Sequence, residues 1–272
     1  MMTTPSPVLT PPKAMTIAGS DSGGGAGIQA DLKTFHQFGV FGTSVITAIT
    51  AQNTRGVRAW EPVSAALVRS QLDAVIEDLA PAATKSGMLG ARDVVFAVAS
   101  GVAEHRIANY VLDPVMVATS GDVLLDADAV SAVRERLVPL ATLVTPNLHE
   151  AELLLDARIT TADELAVAAE RLVRELGAGA ALVKGGHLTG TTVVDVLFAQ
   201  GRHVRIEHQR IETTSTHGTG CTLSSAITAG LALGAELEDA VSAGIAFVQR
   251  AIESAPGLGS GNGPLNHFAR AH

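Results

Sequence analysis

The sequence has few aromatic residues, a single cysteine and no long apolar run. Aromatic residues make up 3% of the 272 residues while hydrophobic residues make up 47%, so a core must be built from aliphatic side chains. Cys221 has no second cysteine to pair with, which is typical of a reducing cytoplasm. No stretch could cross a bilayer, and the net charge of −8 offers no basic surface to nucleic acid or anionic lipid. We therefore expect a cytoplasmic protein without nucleic-acid or membrane partners.

Two well-known site motifs are also missing from the sequence. The P-loop spacing that ends in Gly-Lys-Ser/Thr does not occur, so a Walker-type nucleotide site is excluded. The histidines show no HExxH pattern and no Cys–His cluster, which argues against a structural zinc site. Residues 1–13 are polar and proline-rich, without the charged start and apolar centre of a signal peptide. They are predicted to be a disordered tail, followed by one domain over 14–272.

Apolar strand-like runs alternate with helical patterns along most of the chain. The predicted strands are 14–19, 42–51, 57–60, 82–86, 110–112, 142–145, 180–184, 193–198 and 203–207; the predicted helices are 26–38, 64–79, 94–102, 130–138, 149–155, 164–176, 219–233 and 238–253. In helix 64–79, Ser64 is the expected N-cap and Leu67, Leu72, Val75, Ile76 and Leu79 the expected apolar side. Repeated βαβ units predict an α/β fold with a mostly parallel sheet covered by helices. In such folds ligands bind at the carboxyl ends of the strands.

A glycine-rich segment, residues 19–27, follows the first predicted strand. Five glycines and Asp21 in nine residues let the backbone approach a ligand closely, and the following helix offers free N–H groups to an anion. Residues 25–30 also fit a dinucleotide fingerprint with Ala30 in third place. The second predicted strand, however, ends in Gln52 and Asn53 and supplies no acidic residue for a ribose. A nicotinamide site is therefore the weaker alternative.

A second glycine motif, residues 217–222, precedes an apolar helix. Amide groups freed by Gly218 and Gly220, together with the helix dipole, form an anion hole suited to a transferring phosphoryl group. Cys221 lies at the same helix N-terminus, where the pKa of a thiol tends to fall. The competing interpretation of Cys221 is a small buried apolar side chain, and the competing role of His217 is helix capping.

Polar residues follow three further predicted strands. Asp113, Asn147 and Glu150 carry the hard oxygen atoms that Mg²⁺ prefers, and Lys184 carries a compact positive charge for phosphate. Each also has an ordinary interpretation as a turn, cap or surface residue. Gln52, at the end of the second predicted strand, can both donate to and accept from a ring and is a candidate for substrate recognition.

These motifs together resemble the bacterial hydroxymethylpyrimidine/phosphomethylpyrimidine kinases, in the same order along the chain. The matching stretches are 16–21, 26–35, 45–48, 51–54, 85–89, 112–116, 145–147, 184–187 and 217–222. The resemblance covers Met15 to about His267. It implies a ribokinase-like three-layer α/β/α sandwich, commonly a homodimer. It also implies ATP-dependent phosphorylation, in thiamin biosynthesis, of 4-amino-5-hydroxymethyl-2-methylpyrimidine and then of its monophosphate, with Mg²⁺ as cofactor.

The resemblance also implies roles for particular residues of this sequence. Gly19, Asp31, Gln52 and Met88 are the expected pyrimidine-binding residues. Gly218, Thr219, Gly220, Cys221 and Lys184 are the expected catalytic group, with Cys221 where related sugar kinases carry an aspartate base. Asp113, Asn147, Lys184 and Thr219 are expected at the nucleotide phosphates, and Asp113, Asn147 and Glu150 at the metal.

The chain departs from the family pattern at three positions. In the lid-like segment 118–121, Thr119 replaces a frequent lysine, and Ala118 stands near the place of a cysteine in pyridoxal-phosphorylating relatives. Thr50 replaces a frequent aliphatic residue and predicts a more polar pocket wall. Two alternatives stay open on sequence alone: a pyridoxal or pyridoxine kinase, and a catalytically silent pyrimidine-binding module.

Overall fold

The computed structural model describes residues 10–116 and 127–271. The strands are β1 (Lys13–Ser20), β2 (Phe41–Asn53), β3 (Gly56–Pro62), β4 (Ala83–Ser86), β5 (Tyr110–Leu112), β6 (Leu143–Val144), β7 (Ala181–Val183), β8 (Thr192–Ala199) and β9 (Arg202–Gln209). The helices are α1 (Gly27–Gln37), α2 (Ala65–Leu79), α3 (Arg92–Glu104), α4 (Ala127–Ala132), α5 (Leu148–Leu155), α6 (Ala162–Arg174), α7 (Thr219–Ala232) and α8 (Leu237–Glu253). Most of the predicted tail, residues 1–9, and the lid-like segment 118–121 lie outside the described residues, while β1 already begins at Lys13.

The described strands form one sheet in the order β3-β2-β1-β4-β5-β6-β7-β8-β9. The six strands from β2 to β7 in that order are parallel. β3 is antiparallel at one edge, and the β8–β9 hairpin is antiparallel at the other. Gln200 and Gly201, both with positive φ, form the two-residue turn of that hairpin, which is the conformation that matches strand twist. The mostly parallel sheet predicted from the sequence is confirmed.

Helices cover both faces of the sheet, which gives three layers. One apolar core lies between the sheet and α2 to α6, and the other between the sheet and α1, α7 and α8. Successive strand residues alternate between the two cores: Val196 and Phe198 face the first, and Leu197 faces the second. Both cores are aliphatic apart from a few aromatic rings, as the composition requires.

Two local predictions differ from the structure. In α2, Ser64 caps the helix by accepting the Leu67 N–H, but Leu67 itself is 55% exposed and Val68 is the buried residue. The prediction therefore fails only at its first position: Val68 and Leu72 are buried beside the sheet, and Val75 and Ile76 pack against the same core. The single helix predicted over 130–138 is α4 followed by one π-helical turn, Val133–Leu137, and a 3₁₀ turn that contains Pro139.

The parallel strands bring their carboxyl ends to one edge of the sheet. The glycine-rich segment follows β1, and Met88, Asp113, Asn147 and Lys184 follow β4, β5, β6 and β7. The antiparallel hairpin reaches the same edge with the start of β8 and the end of β9, where Thr192 pairs with Gln209. None of the described helices is long and apolar enough to span a membrane.

Candidate active site

A cavity of about 750 Å³ opens along this edge of the sheet. Its wall contains eleven of the twelve residues that the sequence assigns to the site: Gly19, Gln52, Met88, Asp113, Asn147, Glu150, Lys184, Gly218, Thr219, Gly220 and Cys221. The two glycine motifs, which are almost 200 residues apart in the sequence, therefore share one cleft. That arrangement is the one a transfer between two bound molecules requires.

Asp21 organises the first glycine loop. Its Oδ1 accepts the Gly23 N–H at 2.8 Å, and its Oδ2 accepts the N–H groups of Gly25 and Ala26 at 2.9 and 2.8 Å. The Nε2–H of His217 also donates to Oδ2, at 2.9 Å. Burial raises the pKa of Asp21, but the hydrogen bond and charge of His217 and the backbone donors outweigh it and hold the pKa below its usual value. His217 thus ties the two glycine motifs together instead of capping α7, whose N-terminus has no side-chain cap.

Close backbone contact explains two of the glycines in this region. Gly218 has a φ of 82°, and a Cβ there would lie 1.9 Å from the carbonyl oxygen of Gly25. Gly27 has a φ of 56°, and a Cβ there would lie 2.3 Å from the carbonyl oxygen of Gly19. Because neither backbone oxygen can move aside as a flexible side chain would, only glycine fits these positions.

Apart from Asp21, whose carboxylate is bound to backbone N–H groups and His217, the end of the cavity near β1 and β2 is lined by uncharged residues, among them Gly19, Gln52 and Met88. The Gly19 N–H donates to the Met88 carbonyl, and the Met88 sulfur lies 3.1 Å from where a Gly19 Cβ would be. Gln52 accepts from the Thr50 hydroxyl at 3.3 Å, and that hydroxyl also donates to the Ser20 carbonyl. The Thr50 hydroxyl, which was expected to make the pocket wall more polar, is therefore used in hydrogen bonds within the protein. A flat aromatic ring bound here would meet the Met88 thioether, the backbone of Gly19 and the Gln52 amide.

The other glycine motif begins α7. Gly218 is the N-cap, and the Thr219 hydroxyl donates to the Thr216 carbonyl at 2.6 Å, so this hydroxyl braces the turn. First-turn amides of a helix have no intrahelical acceptor, and the residues Gly220 and Cys221 of this turn line the cavity. The turn therefore lies at the positive end of a 14-residue helix, an arrangement that suits an anion.

The pKa expectation for Cys221 is wrong. Burial raises the pKa of its thiol to about 12, and the charges of Asp31 and Asp113 add to the rise. The charge of Lys85 and the nearby Gly27 N–H act in the opposite direction but are smaller. Loss of water around the sulfur therefore outweighs the groups that favour a thiolate, and the thiol is neutral at physiological pH.

Asp113 and Lys184 form a polar centre between the two glycine motifs. The Lys184 Nζ is 3.3 Å from Asp113 Oδ1, and the Ser224 hydroxyl donates to Oδ2. Burial lowers the pKa of Lys184, but the charges of Asp113 and Glu150 outweigh it and the net shift is upward. The ammonium is therefore protonated, with 15% of the side chain exposed at the cavity. It can contact an anion bound at Gly220, whose added Cβ would lie 3.2 Å from Nζ.

Asn147 and Glu150 form a capping box at the start of α5. Asn147 Oδ1 accepts the Glu150 N–H at 3.0 Å, and Glu150 Oε2 accepts the Asn147 N–H at 2.7 Å. Burial raises the pKa of Glu150 to about 7, although the charge of Lys184 opposes the rise. Asn147 thus has a structural role that the sequence left as an alternative, and Glu150 is a carboxyl group balanced between its two protonation states.

Replacing Glu150 with glutamine is expected to stabilise the protein at pH 8 but not at pH 5. Glutamine keeps the cap but does not ionise. Because the pKa of Glu150 is higher in the folded than in the unfolded chain, wild-type stability declines as pH rises from about 4.5 to 7. The variant should gain roughly 1 to 3 kcal/mol above pH 7. Urea unfolding without nucleotide at both pH values measures this, with Glu77→Gln on the exposed side of α2 as control. A gain of equal size at pH 5 would contradict the assignment.

The far end of the cavity was not predicted from the sequence. It is lined by residues of β8, β9 and α8: Val193, Asp195, His208, Gln209, Ile245, Val248, Gln249 and Ile252. Asp195 accepts the Gly185 N–H at 2.8 Å and contacts His208 Nε2 at 3.2 Å, while Gln249 Nε2 lies 2.7 Å from His208 Nδ1. No local motif marks these residues, because they come from a hairpin and a helix that are brought together only in the fold.

Asp31 is the one assigned residue that does not reach the cavity. It is fully buried beneath the wall, where it forms an ion pair with Lys85 and accepts the hydroxyl groups of Thr16 and Ser225. The placement of Asp31 among the pyrimidine-binding residues is thus corrected. The physical reason is that Asp31 lies one turn into α1 and faces the sheet, so the residues that precede it form the cavity wall.

Comparison with known proteins gives one consistent result. The family model described as phosphomethylpyrimidine kinase matches residues 21–266. A Rhizobium meliloti hydroxymethylpyrimidine/phosphomethylpyrimidine kinase is 55% identical over 260 residues, which are 94% of this chain and 97% of the relative. A Geobacter sulfurreducens bifunctional protein of thiamine biosynthesis is 49% identical over 257 residues, which are 94% of this chain and 52% of that longer protein.

Solved structures of two kinds of kinase are similar to this chain. A phosphomethylpyrimidine kinase from Clostridium difficile has a TM-score of 0.80 and 41% identity. The match covers 89% of this chain and 99% of the Clostridium difficile chain. The ADP complex of Bacillus subtilis pyridoxal kinase has a TM-score of 0.89 and 39% identity, with coverages of 96% and 98%. Staphylococcus aureus pyridoxal kinase with AMP-PCP and pyridoxal has a TM-score of 0.87 and 31% identity, with coverages of 96% and 94%.

Proposed function

The chain belongs to the phosphomethylpyrimidine kinase family, and from that premise we propose that it transfers the γ-phosphoryl group of ATP in two successive steps. The first acceptor is the hydroxymethyl group of 4-amino-5-hydroxymethyl-2-methylpyrimidine, and the second is the monophosphate formed. The observation that carries the proposal is the shared cavity: the amide turn of α7 and the neutral wall at Gly19, Gln52 and Met88 open into the same space.

The lining of the cavity suggests where each part of the two reactants binds along it. The pyrimidine occupies the β1–β2 end, where the Gln52 amide can hydrogen-bond to its polar ring atoms and Met88 lies against a ring face. The phosphates occupy the centre, between Lys184 and the amides of Gly220 and Cys221. The nucleotide base occupies the remaining end, whose apolar wall at Ile245 and Val248 suits a flat ring.

The protein's part in the reaction is positioning and charge stabilisation. The alcohol oxygen forms a bond to the γ-phosphorus while the bond from that phosphorus to the β–γ bridging oxygen breaks, and ADP leaves with the electron pair. The hydroxyl proton leaves late and passes to an oxygen of the transferred phosphoryl group, and from there to solvent. In a loose transition state the charge gathers on the peripheral phosphoryl oxygens. We place those oxygens beside the first-turn amides of α7 and the Lys184 ammonium, which are donors that can stabilise the charge without rearrangement.

The described acidic residues fit a magnesium ion of the kind that nucleotide enzymes use. Asp113 and Glu150 are carboxyl groups at the same cavity centre, and Mg²⁺ is usually held by one or two carboxylates with phosphate and water. The amide oxygen of Asn147 is engaged by the Glu150 N–H, so we assign Asn147 to orienting Glu150. When bound, the ion would offset phosphate charge.

Replacing Cys221 with serine is expected to keep kcat within about tenfold of wild type, because a thiol with a pKa near 12 is not the proton acceptor. The thiol is instead assigned to positioning the hydroxyl group. Steady-state ADP release between pH 6 and 9 measures this, and the profile should keep its shape. A loss of about 10³-fold or more, with a changed pH profile, would restore the base role.

An assay of ADP formation tests the proposed function. With Mg²⁺ and ATP, wild-type protein should release one ADP per hydroxymethylpyrimidine and a second per monophosphate. Pyridoxal at the same concentration is the discriminating arm, since kinases of pyridoxal are among the similar structures. Faster turnover on pyridoxal would reassign the substrate, and tight pyrimidine binding without ADP release would indicate a silent binding module.

Two further properties belong to the same proposal. We propose a homodimer, which the family resemblance implies, and light scattering at assay concentration tests it. We also propose that the protein acts in the cytoplasm, where ATP is available and where a lone thiol such as Cys221 stays reduced.

A further inference from the structure

A fully buried ion pair lies beneath the cavity wall. The Lys85 Nζ on β4 is 3.0 Å from Asp31 Oδ1 on α1, and both side chains have no exposed area. The pair is not among the cavity-lining residues, so a reactant bound in the cavity would contact neither member. It is the one Lys–Asp pair of the described residues in which both side chains are fully buried.

The Asp31 carboxylate joins four elements of the fold. The Thr16 hydroxyl on β1 donates to Oδ2 at 2.6 Å, and the Ser225 hydroxyl on α7 donates to Oδ1 at 2.6 Å. Lys85 adds β4, and Asp31 itself belongs to α1. Each of these polar side chains is fully buried.

Each joined element carries part of the cavity wall. Gly19 lies three residues after Thr16, and Met88 lies three residues after Lys85. Cys221 lies one helical turn before Ser225 on α7, and Gly27 one turn before Asp31 on α1. A shift at the carboxylate would therefore move the pyrimidine wall and the anion turn relative to each other.

Stability alone does not account for such a pair. Removing two charges from water costs free energy, and apolar residues of similar volume often replace a buried ion pair without loss of stability. A pair that fixes the register between elements has a separate use, because the directional hydrogen bonds are lost if the elements slide. The three oxygen–donor distances at Asp31 show that the register is specified here.

The charges of the pair also act on Cys221. The charged groups whose fields act on its thiol are Lys85 on β4, Asp31 on α1 and Asp113 after β5, and the charge of Cys221 in turn acts on Lys184 after β7. The Lys85 charge favours a thiolate, and the Asp31 charge disfavours it. The two members of one pair should therefore have opposite effects on the reactivity of this thiol.

We propose that Asp31 and Lys85 are positioning residues that hold the first turn of α7 in register with the Gly19 and Met88 wall. This inference rests on the proposed kinase function. The pair acts through Ser225 and the strand ends, so its loss should lower kcat more than it changes KM. Removing the positive charge of Lys85 and removing the negative charge of Asp31 should change the reactivity of the Cys221 thiol in opposite directions.

The test compares Lys85→Met and Asp31→Asn with wild type. Cys221 is the only cysteine, so its rate of alkylation by iodoacetamide at pH 8.5 reports one site. Lys85→Met should slow alkylation and Asp31→Asn should speed it, each by about threefold or more. Both should lower kcat for ADP release by about tenfold or more, with KM changed less than about threefold.

Tyr110→Phe is the matched control. It removes the hydrogen bond between the Tyr110 hydroxyl and the Ser86 hydroxyl on β4, 2.6 Å apart, which is also fully buried. It should leave alkylation and kcat within about twofold of wild type.

Alkylation that moves in the same direction in both charge variants, or kcat values equal to that of Tyr110→Phe, would overturn the proposal. If a charge variant does not fold, Ser225→Ala decides, because it should still lower kcat below that of the control. Wild-type protein that releases no ADP would refute the kinase function, while alkylation would still report the charge effects.

Discussion

Replacing Lys184 with methionine is expected to lower kcat about 10³-fold, which corresponds to about 4 kcal/mol of transition-state stabilisation. Methionine has similar length and no charge, so the change removes the ammonium and leaves most of the volume. The ammonium is protonated in the wild type because Asp113 and Glu150 hold its pKa above the usual value despite burial. Its Nζ would lie 3.2 Å from a Cβ added at Gly220, so the charge lies beside the first turn of α7.

Steady-state ADP release at saturating and limiting ATP measures the effect of Lys184→Met. The loss should appear mainly in kcat, because the charge is used as the phosphoryl group transfers. Lys13→Met, at the opposite end of β1 from the cavity, is the control and should retain wild-type kcat. A variant that keeps its kcat and loses only ATP affinity would show that Lys184 binds the ground state and does not favour the transition state.

Replacing Gly220 with alanine is expected to reduce kcat about 10²-fold without loss of stability. Gly220 lies in the first turn of α7 without a positive φ, and alanine favours a helix more than glycine does. The added methyl group would lie 3.2 Å from the Lys184 Nζ and 3.6 Å from Asp113 Oδ2. A flexible ammonium can move away from it, so folding is unaffected, but the space for the phosphoryl oxygens is filled.

The matched control for Gly220→Ala is Gly186→Ala, which adds the same methyl group in open space at the cavity edge. Turnover and thermal unfolding of both variants separate activity from stability. Gly220→Ala should unfold at or above the wild-type temperature while losing turnover, and Gly186→Ala should change neither strongly. Equal turnover in the two variants would show that no phosphate binds at the α7 turn.

Much of the fold and of the site could be predicted from the sequence because the fold is built from local units. The βαβ order, with apolar strands and amphipathic helices, determines a parallel sheet, and a parallel sheet brings its carboxyl ends together. Residues such as Asp113 and Lys184, which follow β5 and β7 directly, therefore lie together in the cavity wall, as their positions in the sequence predict. The glycines at 218 and 27 mark backbone contacts that no other residue allows.

The remaining features depend on burial and on contacts between distant segments. Asp31 looked like a pocket residue, but the periodicity of α1 could not show that its carboxylate meets Lys85 inside the protein. The helix position of Cys221 suggested a lowered pKa, whereas desolvation is the larger influence in the fold. The wall formed by Asp195, His208 and Gln249 needs the hairpin and α8 side by side.

The central claim is that the α7 turn holds the terminal phosphate opposite an alcohol at the β1–β2 end of one cavity. A crystal structure with AMP-PCP, Mg²⁺ and the hydroxymethylpyrimidine tests it most directly. The account predicts γ-phosphate oxygens within about 3 Å of the Gly220 and Cys221 amides, and the hydroxymethyl oxygen about 3 to 3.5 Å from the γ-phosphorus. A terminal phosphate bound away from that turn, or a pyrimidine outside the Gly19, Gln52 and Met88 wall, would contradict it.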